Sequence, residues 1–321
     1  MTRMARIRLL SSCLLGLAFL GGCGHGASSP SETAQSSATR GQYLVDHVSL
    51  CNDCHTPHNP DGSFDRTRYL AGVECFIDVD PDPGKGCLNT RNLTPDGTGL
   101  KNRTDAQIKE MFQNGVTPTG KALIPVMPYW VYHNMTAQDA DAVVAYLRTV
   151  PAVSHAVPPS EPPWAAPPHP AAPIDPVTIP SPSQDDPSAM RGRYLATMAG
   201  VCLDCHTPSL PPGGARPIDM SRPFAGGRDF QPVRPSPPFP PHLYSANLTQ
   251  DATGLADWSA DDVVRAMKRG VDRHGARICL MPSGPAGALG QLTDEDATDI
   301  AHYILTIPAI ANKVSRECVA Q

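Results

Sequence analysis

The chain has 321 residues, a formal net charge of −5 and 36 prolines. This length suits two or three domains, and the acidic balance argues against a nucleic-acid partner. The prolines are unevenly spread and aromatic residues make up only 6%, so part of the chain is extended linker and something other than aromatic side chains is expected to fill much of the core.

At the N-terminus, Arg3, Arg6 and Arg8 precede an apolar run from Leu9 to Leu20. The run is too short for a membrane span and reads as a secretory signal. It ends in Leu20-Gly21-Gly22-Cys23, which resembles the lipobox of bacterial lipoproteins. The resemblance implies removal of residues 1–22, acylation of Cys23 and a lipid anchor on the periplasmic side of a bacterial membrane. Removal would take away three arginines and no acid, leaving a charge of −8. Residues 23–39 then read as a flexible tether.

The rest of the chain is written twice. RGQYLVDHVSLCNDCHTP at 40–57 aligns without gaps on RGRYLATMAGVCLDCHTP at 191–208. NLTPDGTGL at 92–100 matches NLTQDATGL at 247–255, and AQDADAVVAYLRTVPAV at 137–153 matches DEDATDIAHYILTIPAI at 294–310. With IKEMFQNGV at 108–116 on VVRAMKRGV at 263–271, four ordered blocks at offsets of 151 to 157 predict two tandem domains, 40–153 and 189–321. Between them, residues 154–188 are too rich in proline for helix or sheet ladders. They are expected to form a semi-rigid spacer or a strap across a domain surface.

Each copy reads as mainly helical. One helix should carry Leu44, Val48 and the CxxCH face, a second should follow Thr104 or Ser259, and a third Thr136 or Thr293. The pairs Thr104/Gln107, Ser259/Asp262, Thr136/Asp139 and Thr293/Asp296 have capping-box spacing. The Gly/Pro-rich loops 58–91 and 209–246 are long enough to imply that they wrap something.

The cysteines sort by context. Cys51, Cys54, Cys202 and Cys205 belong to two C-x-x-C-H units, while Cys75, Cys87, Cys279 and Cys318 form an even remainder expected to make one disulfide per half. C-x-x-C-H is the attachment signature of c-type haem. Helical spacing puts both thiols and the histidine on one face, so the thiols reach the two vinyl groups while the imidazole points at iron. A dithiol redox pair or half a zinc site is the alternative. His55 and His206 are the proximal ligands on this reading, and two covalent haems are the expected cofactors. For the opposite axial position, Met127 in LIPVMPYW is best placed in the first copy. In the second, Met281 in ICLMPSGPAG is its positional equivalent, with His274 or an open site as alternatives. A methionine thioether there suits electron transfer. Four Asn-x-Thr triplets, including Asn92 and Asn247, also match glycosylation acceptors and are expected to be incidental.

CxxCHTP, then NLTPDxxTG, then MPY ahead of a helix containing AYLRTVPAV, resembles the cytochrome c subunits of periplasmic alcohol and gluconate dehydrogenases and related di-haem cytochromes. The resemblance spans both copies. It implies two tandem cytochrome c domains with haem-wrapping loops, Gly41 and Tyr43 packing near Tyr146, and Gly192 and Tyr194 near Tyr303. It also implies a membrane-tethered carrier passing electrons from a dehydrogenase toward the respiratory chain, without bond-making catalysis of its own. The best-known subunits carry three haems, and this chain has two CxxCH units. A di-haem peroxidase is the alternative function.

Overall fold

The computed structural model describes residues 30–60, 63–78, 86–162, 165–210, 217–230 and 243–315. The signal, Cys23 and Cys318 lie outside them. Among the described residues the chain is mainly helical, and the same elements recur in the same order in each half. In the first half come α1 (Pro30–Tyr43), a π-helical turn (Leu44–Val48), α2 (Cys51–His55), α3 (Asp105–Asn114), α4 (Tyr129–Tyr132) and α5 (Ala137–Leu147). The second half has α6 (Pro187–Thr197), α7 (Cys202–Cys205), α8 (Ala260–Arg269), a 3₁₀ turn (Ala288–Gln291) and α9 (Asp294–Ile304). The short antiparallel strands β1 (Ile77–Asp78) and β2 (Cys87–Leu88) pair, and a disulfide ties Cys87 of β2 to Cys75, two residues ahead of β1. Cys279 is also disulfide-bonded.

In each half the first helix crosses the last, α1 on α5 and α6 on α9. The crossings need glycine: a Cβ on Gly41 would sit 1.9 Å from the Ala142 carbonyl oxygen, and one on Gly192 would sit 1.8 Å from that of Asp299. Leu44, Val45, Leu195 and Ala196, which follow those glycines, are buried beneath the crossing.

Two expectations change, and the tyrosines add a contact. Residues 30–39 are helical rather than tether, with proline at the first position where its missing N–H costs nothing. The first helix does not run on into CxxCH, because Leu50 takes a left-handed conformation (φ 56°) that ends one helix and starts α2. The tyrosines, finally, cross between halves. Tyr43 donates to Asp296 at 2.6 Å and Tyr194 to Asp139 at 2.7 Å, and Gly41 meets Tyr146 as expected.

That crossing also alters two capping boxes. Thr104/Gln107 and Ser259/Asp262 form complete boxes. Thr136 and Thr293 accept the backbone N–H of Asp139 and Asp296, but those carboxylates turn away from their own helix starts. Asp139 binds Arg40 and Tyr194, and Asp296 binds Arg191 and Tyr43.

The proline-rich segment is a strap. Arg91 donates to the Val157 and Pro158 carbonyls and Asn89 to those of Pro158 and Pro159. Further along, Ile174 and Ile179 are buried, and Arg193 donates to the Pro176, Ile179 and Pro180 carbonyls.

Candidate functional site

Each CxxCH unit sits on a short helix whose histidine is oriented from behind. The His55 ring nitrogen Nδ1 lies 2.7 Å from the Arg91 carbonyl oxygen, and His206 Nδ1 lies 2.9 Å from that of Ala246. A carbonyl only accepts, so Nδ1 carries the proton and Nε2 presents its lone pair, the tautomer a metal-ligating imidazole requires. Burial pushes the His55 pKa down to about 4, which keeps that ring neutral.

The carbonyls are held there by the repeated NLT segments. Asn92, next to Arg91, accepts from the Thr94 N–H and hydroxyl and donates to the Val153 carbonyl and Thr98. Asn247, next to Ala246, does the same with Thr249, Ile310 and Thr253. Both amides are buried and fully engaged, which leaves neither side chain for glycosylation. The repeat of NLT was the available signal for this supporting role, but sequence alone did not connect it to the histidine one loop away.

All four CxxC cysteines carry free thiols. Burial, followed by the carboxyls of Asp46 and Asp53, pushes Cys51 up to about 12, and burial with its neighbours raises Cys54 further. Burial pushes Cys202 up to about 11 and, with Asp204, Cys205 to about 12. A redox dithiol needs the opposite, a lowered thiol pKa. A zinc site needs converging donors, and among the described residues the one group of three close ligating atoms is Cys75, Asp78 and Cys87, whose sulfurs are spent in the disulfide. Two protonated thiols beside an oriented imidazole, twice over, fit the haem that the motif implies. Around the first motif His47 Nδ1, Asn52 Oδ1 and Asp53 Oδ2 are buried without a hydrogen-bond partner.

The two motifs differ in their central carboxyl. Asp53 has that orphaned oxygen, and burial followed by Asp46 pushes it up to about 7. Asp204 instead pairs with Arg228 at 2.6 Å and accepts from the Trp130 indole at 3.2 Å. Trp130 belongs to α4 of the first half, immediately after Met127, Pro128 and Tyr129, so the first methionine loop touches the second CxxCH helix. The Ser49 hydroxyl also crosses, donating to the Ala199 carbonyl at 2.7 Å.

Met127 and Met281 are both half-buried and pack against the core. Each opens an equivalent tight turn, with Tyr129 N–H on the Met127 carbonyl at 2.8 Å and Ser283 N–H on that of Met281 at 2.6 Å. Beyond the turn the halves diverge. The Tyr129 ring packs on Gly115, whereas the atoms nearest Gly270 belong to Ser283 and Gly284. His274 is exposed on a turn capped by Asp272, unlike Met281.

No family model matches the chain. It is 29% identical over 286 residues to the cytochrome c subunit of alcohol dehydrogenase (quinone) from Gluconacetobacter polyoxogenes, covering 84% of this chain and 56% of that one. It is 28% identical over 289 residues to the gluconate 2-dehydrogenase cytochrome c subunit of Pantoea cypripedii, covering 84% and 59%. A diheme cytochrome c-type protein of Cereibacter sphaeroides is 28% identical over 294 residues, covering 85% and 86%. The chain is similar to c-type cytochrome subunits. It spans little more than half the length of the dehydrogenase subunits it matches, and the likeness runs through both CxxCH halves.

Proposed function

We propose that the chain is a two-haem electron carrier, composed of two tandem cytochrome c domains, that takes electrons from a dehydrogenase and delivers them toward the respiratory chain. The observation that carries this reading is the duplicated CxxCH unit with each histidine set by a carbonyl behind Nδ1. In this reading Cys51 and Cys54 would hold one haem and Cys202 and Cys205 the other, and His55, Met127, His206 and Met281 would supply the iron's ligands. When bound, each haem supplies a reversible one-electron couple at its iron. The protein's residues do the remainder: the carbonyls of Arg91 and Ala246 fix the imidazoles, the methionine turns offer thioethers, and the apolar core excludes water. The N-terminal segment is proposed to be cleaved and Cys23 lipidated, tethering the carrier to the periplasmic face of a membrane. Among the described residues no helix is long and apolar enough to cross one.

The test is spectroscopic. Electron paramagnetic resonance with near-infrared absorption should count two low-spin His/Met haems per chain, and Met281→Ala should alter one signal only. A persistent high-spin haem with peroxide turnover would replace the carrier reading by the peroxidase alternative. Labelled palmitate retained by the wild type and lost in Cys23→Ala tests the anchor.

A further inference from the structure

The duplication makes one half a template for reading the other, and it exposes a trough on the first half that is lined by described residues. In the second half the face between the first and last helices is covered by the chain's own proline-rich strap. Arg193 on α6 donates to the carbonyls of Pro176 and Pro180, at 2.6 and 3.1 Å, and the Tyr303 hydroxyl on α9 donates to that of Pro180 at 3.0 Å. Ile179 is buried between them. Proline-rich chain suits such recognition: it is extended in advance, and it offers carbonyls while presenting few N–H groups that need partners.

In the first half the equivalent face is a trough of about 250 Å³ lined by Gln42, Asp46, Arg66, Tyr69 and Tyr146. The alignment is fixed by structure. Gln42 and Tyr146 occupy the positions of Arg193 and Tyr303, and Asp65 ties Arg68 as Asp219 ties Arg222, so Arg66 and Tyr69 answer to Met220 and Pro223. The guanidinium has therefore moved from the first helix to the opposite wall, from Arg193 to Arg66, where it acts on Asp46 and Tyr146. Helix α1 starts ten residues before Arg40, whereas α6 starts four before Arg191, so residues that would lead a strap are helical instead.

The trough's groups match the same ligand chemistry. Tyr69 donates to Asp46, and the Tyr146 hydroxyl rests 3.2 Å from that of Tyr69, longer than the roughly 2.7–2.8 Å usual between hydroxyls. A peptide carbonyl would better that contact. Two tyrosine rings also supply the aromatic wall on which prolines pack. At about 250 Å³ the trough is smaller than the roughly 300–1,000 Å³ of small-molecule sites, which suits a few residues of chain. We propose that this trough of the first half binds an extended proline-rich segment of a partner protein, in the manner in which the second half binds Pro176 to Pro180. This does not depend on haem chemistry.

The experiment uses the full-length protein and a synthetic peptide, IDPVTIPSP, copying residues 174–182, followed by calorimetric titration. Saturable binding is expected, weakened roughly tenfold by Tyr146→Phe, the loss of about one hydrogen bond, and weakened also by Arg66→Ala, a change at an exposed residue. Tyr303→Phe should leave that affinity unchanged, and a peptide with both central prolines replaced by alanine should bind more weakly. Absence of saturable binding overturns the proposal. So does binding that Tyr303→Phe abolishes while Tyr146→Phe and Arg66→Ala leave it alone, since the peptide would then be displacing the strap.

Discussion

At the residue scale, the chemistry of each candidate site depends on atoms that are not themselves ligands. The carbonyls behind His55 and His206 come from Arg91 and Ala246, residues of different type. Substituting Ala246 should change little, since its carbonyl remains, whereas Arg91 also holds the strap and disturbing either neighbouring asparagine should be costly. Asn92→Ala removes a buried amide that accepts from Thr94 and donates to Val153 and Thr98 and should lower the thermal midpoint and the yield of haem-loaded protein, compared with Ala246→Ser measured in parallel. Acid sensitivity belongs here too. Burial would push the Asp139 carboxyl up, but hydrogen bonds from Arg40 and Tyr194 outweigh it and hold the group below its ordinary value. Its folded pKa is therefore depressed, so the stability it contributes is present above about pH 4 and is lost as pH falls through the folded value. Asp139→Asn should lower stability at pH 6 and converge with the wild type near pH 3 in thermal melts.

At the element scale, the helix crossings carry the tightest constraint. Gly41→Ala would force a methyl into a carbonyl 1.9 Å away, and overpacking of this kind costs roughly 1–3 kcal/mol. A calorimetric midpoint unchanged by this substitution would contradict the crossing. The Cys75–Cys87 bridge closes a loop of 12 residues, and its removal by paired serine substitution should cost about 3 kcal/mol on chain-entropy grounds. Several elements are legible in the amino-acid sequence itself. The helices after Thr104, Thr136, Ser259 and Thr293 begin where their caps stand, because an N-cap is a local device written within four residues. Helix α4, by contrast, is a single turn following Met-Pro, too short for periodicity to register. The break at Leu50 is hidden for another reason: a left-handed leucine is held by its surroundings, not by its own preference.

For the whole molecule, the duplication is plain in sequence but the meeting of the two copies is not. Contacts such as Tyr43 with Asp296 join residues 253 positions apart, and no local pattern announces a partner at that distance. The strap resolves an ambiguity of the same kind, since a proline-rich composition fixes extended chain without saying what it lies against. The crossing tyrosines carry the prediction at this scale. Hydrogen bonds to charged carboxylates are worth roughly 1.5–3 kcal/mol each, so replacing Tyr43 and Tyr194 together by phenylalanine should loosen one half from the other. Differential scanning calorimetry should then show two transitions where the wild type shows one, and a single unshifted transition would assign the cohesion to apolar packing instead.

Those reciprocal bonds have the geometry of a two-fold dimer interface written into one polypeptide: residue i of one half meets residue j of the other, and j meets i. In a true dimer of identical chains, any change at the contact is imposed twice. A covalently joined pair is free of that rule, and Trp130 shows the freedom in use. It reaches Asp204 from one side, while Gly284 stands at the matching place on the other. Symmetry thus sets how the halves meet, and its relaxation lets the two sites acquire different surroundings.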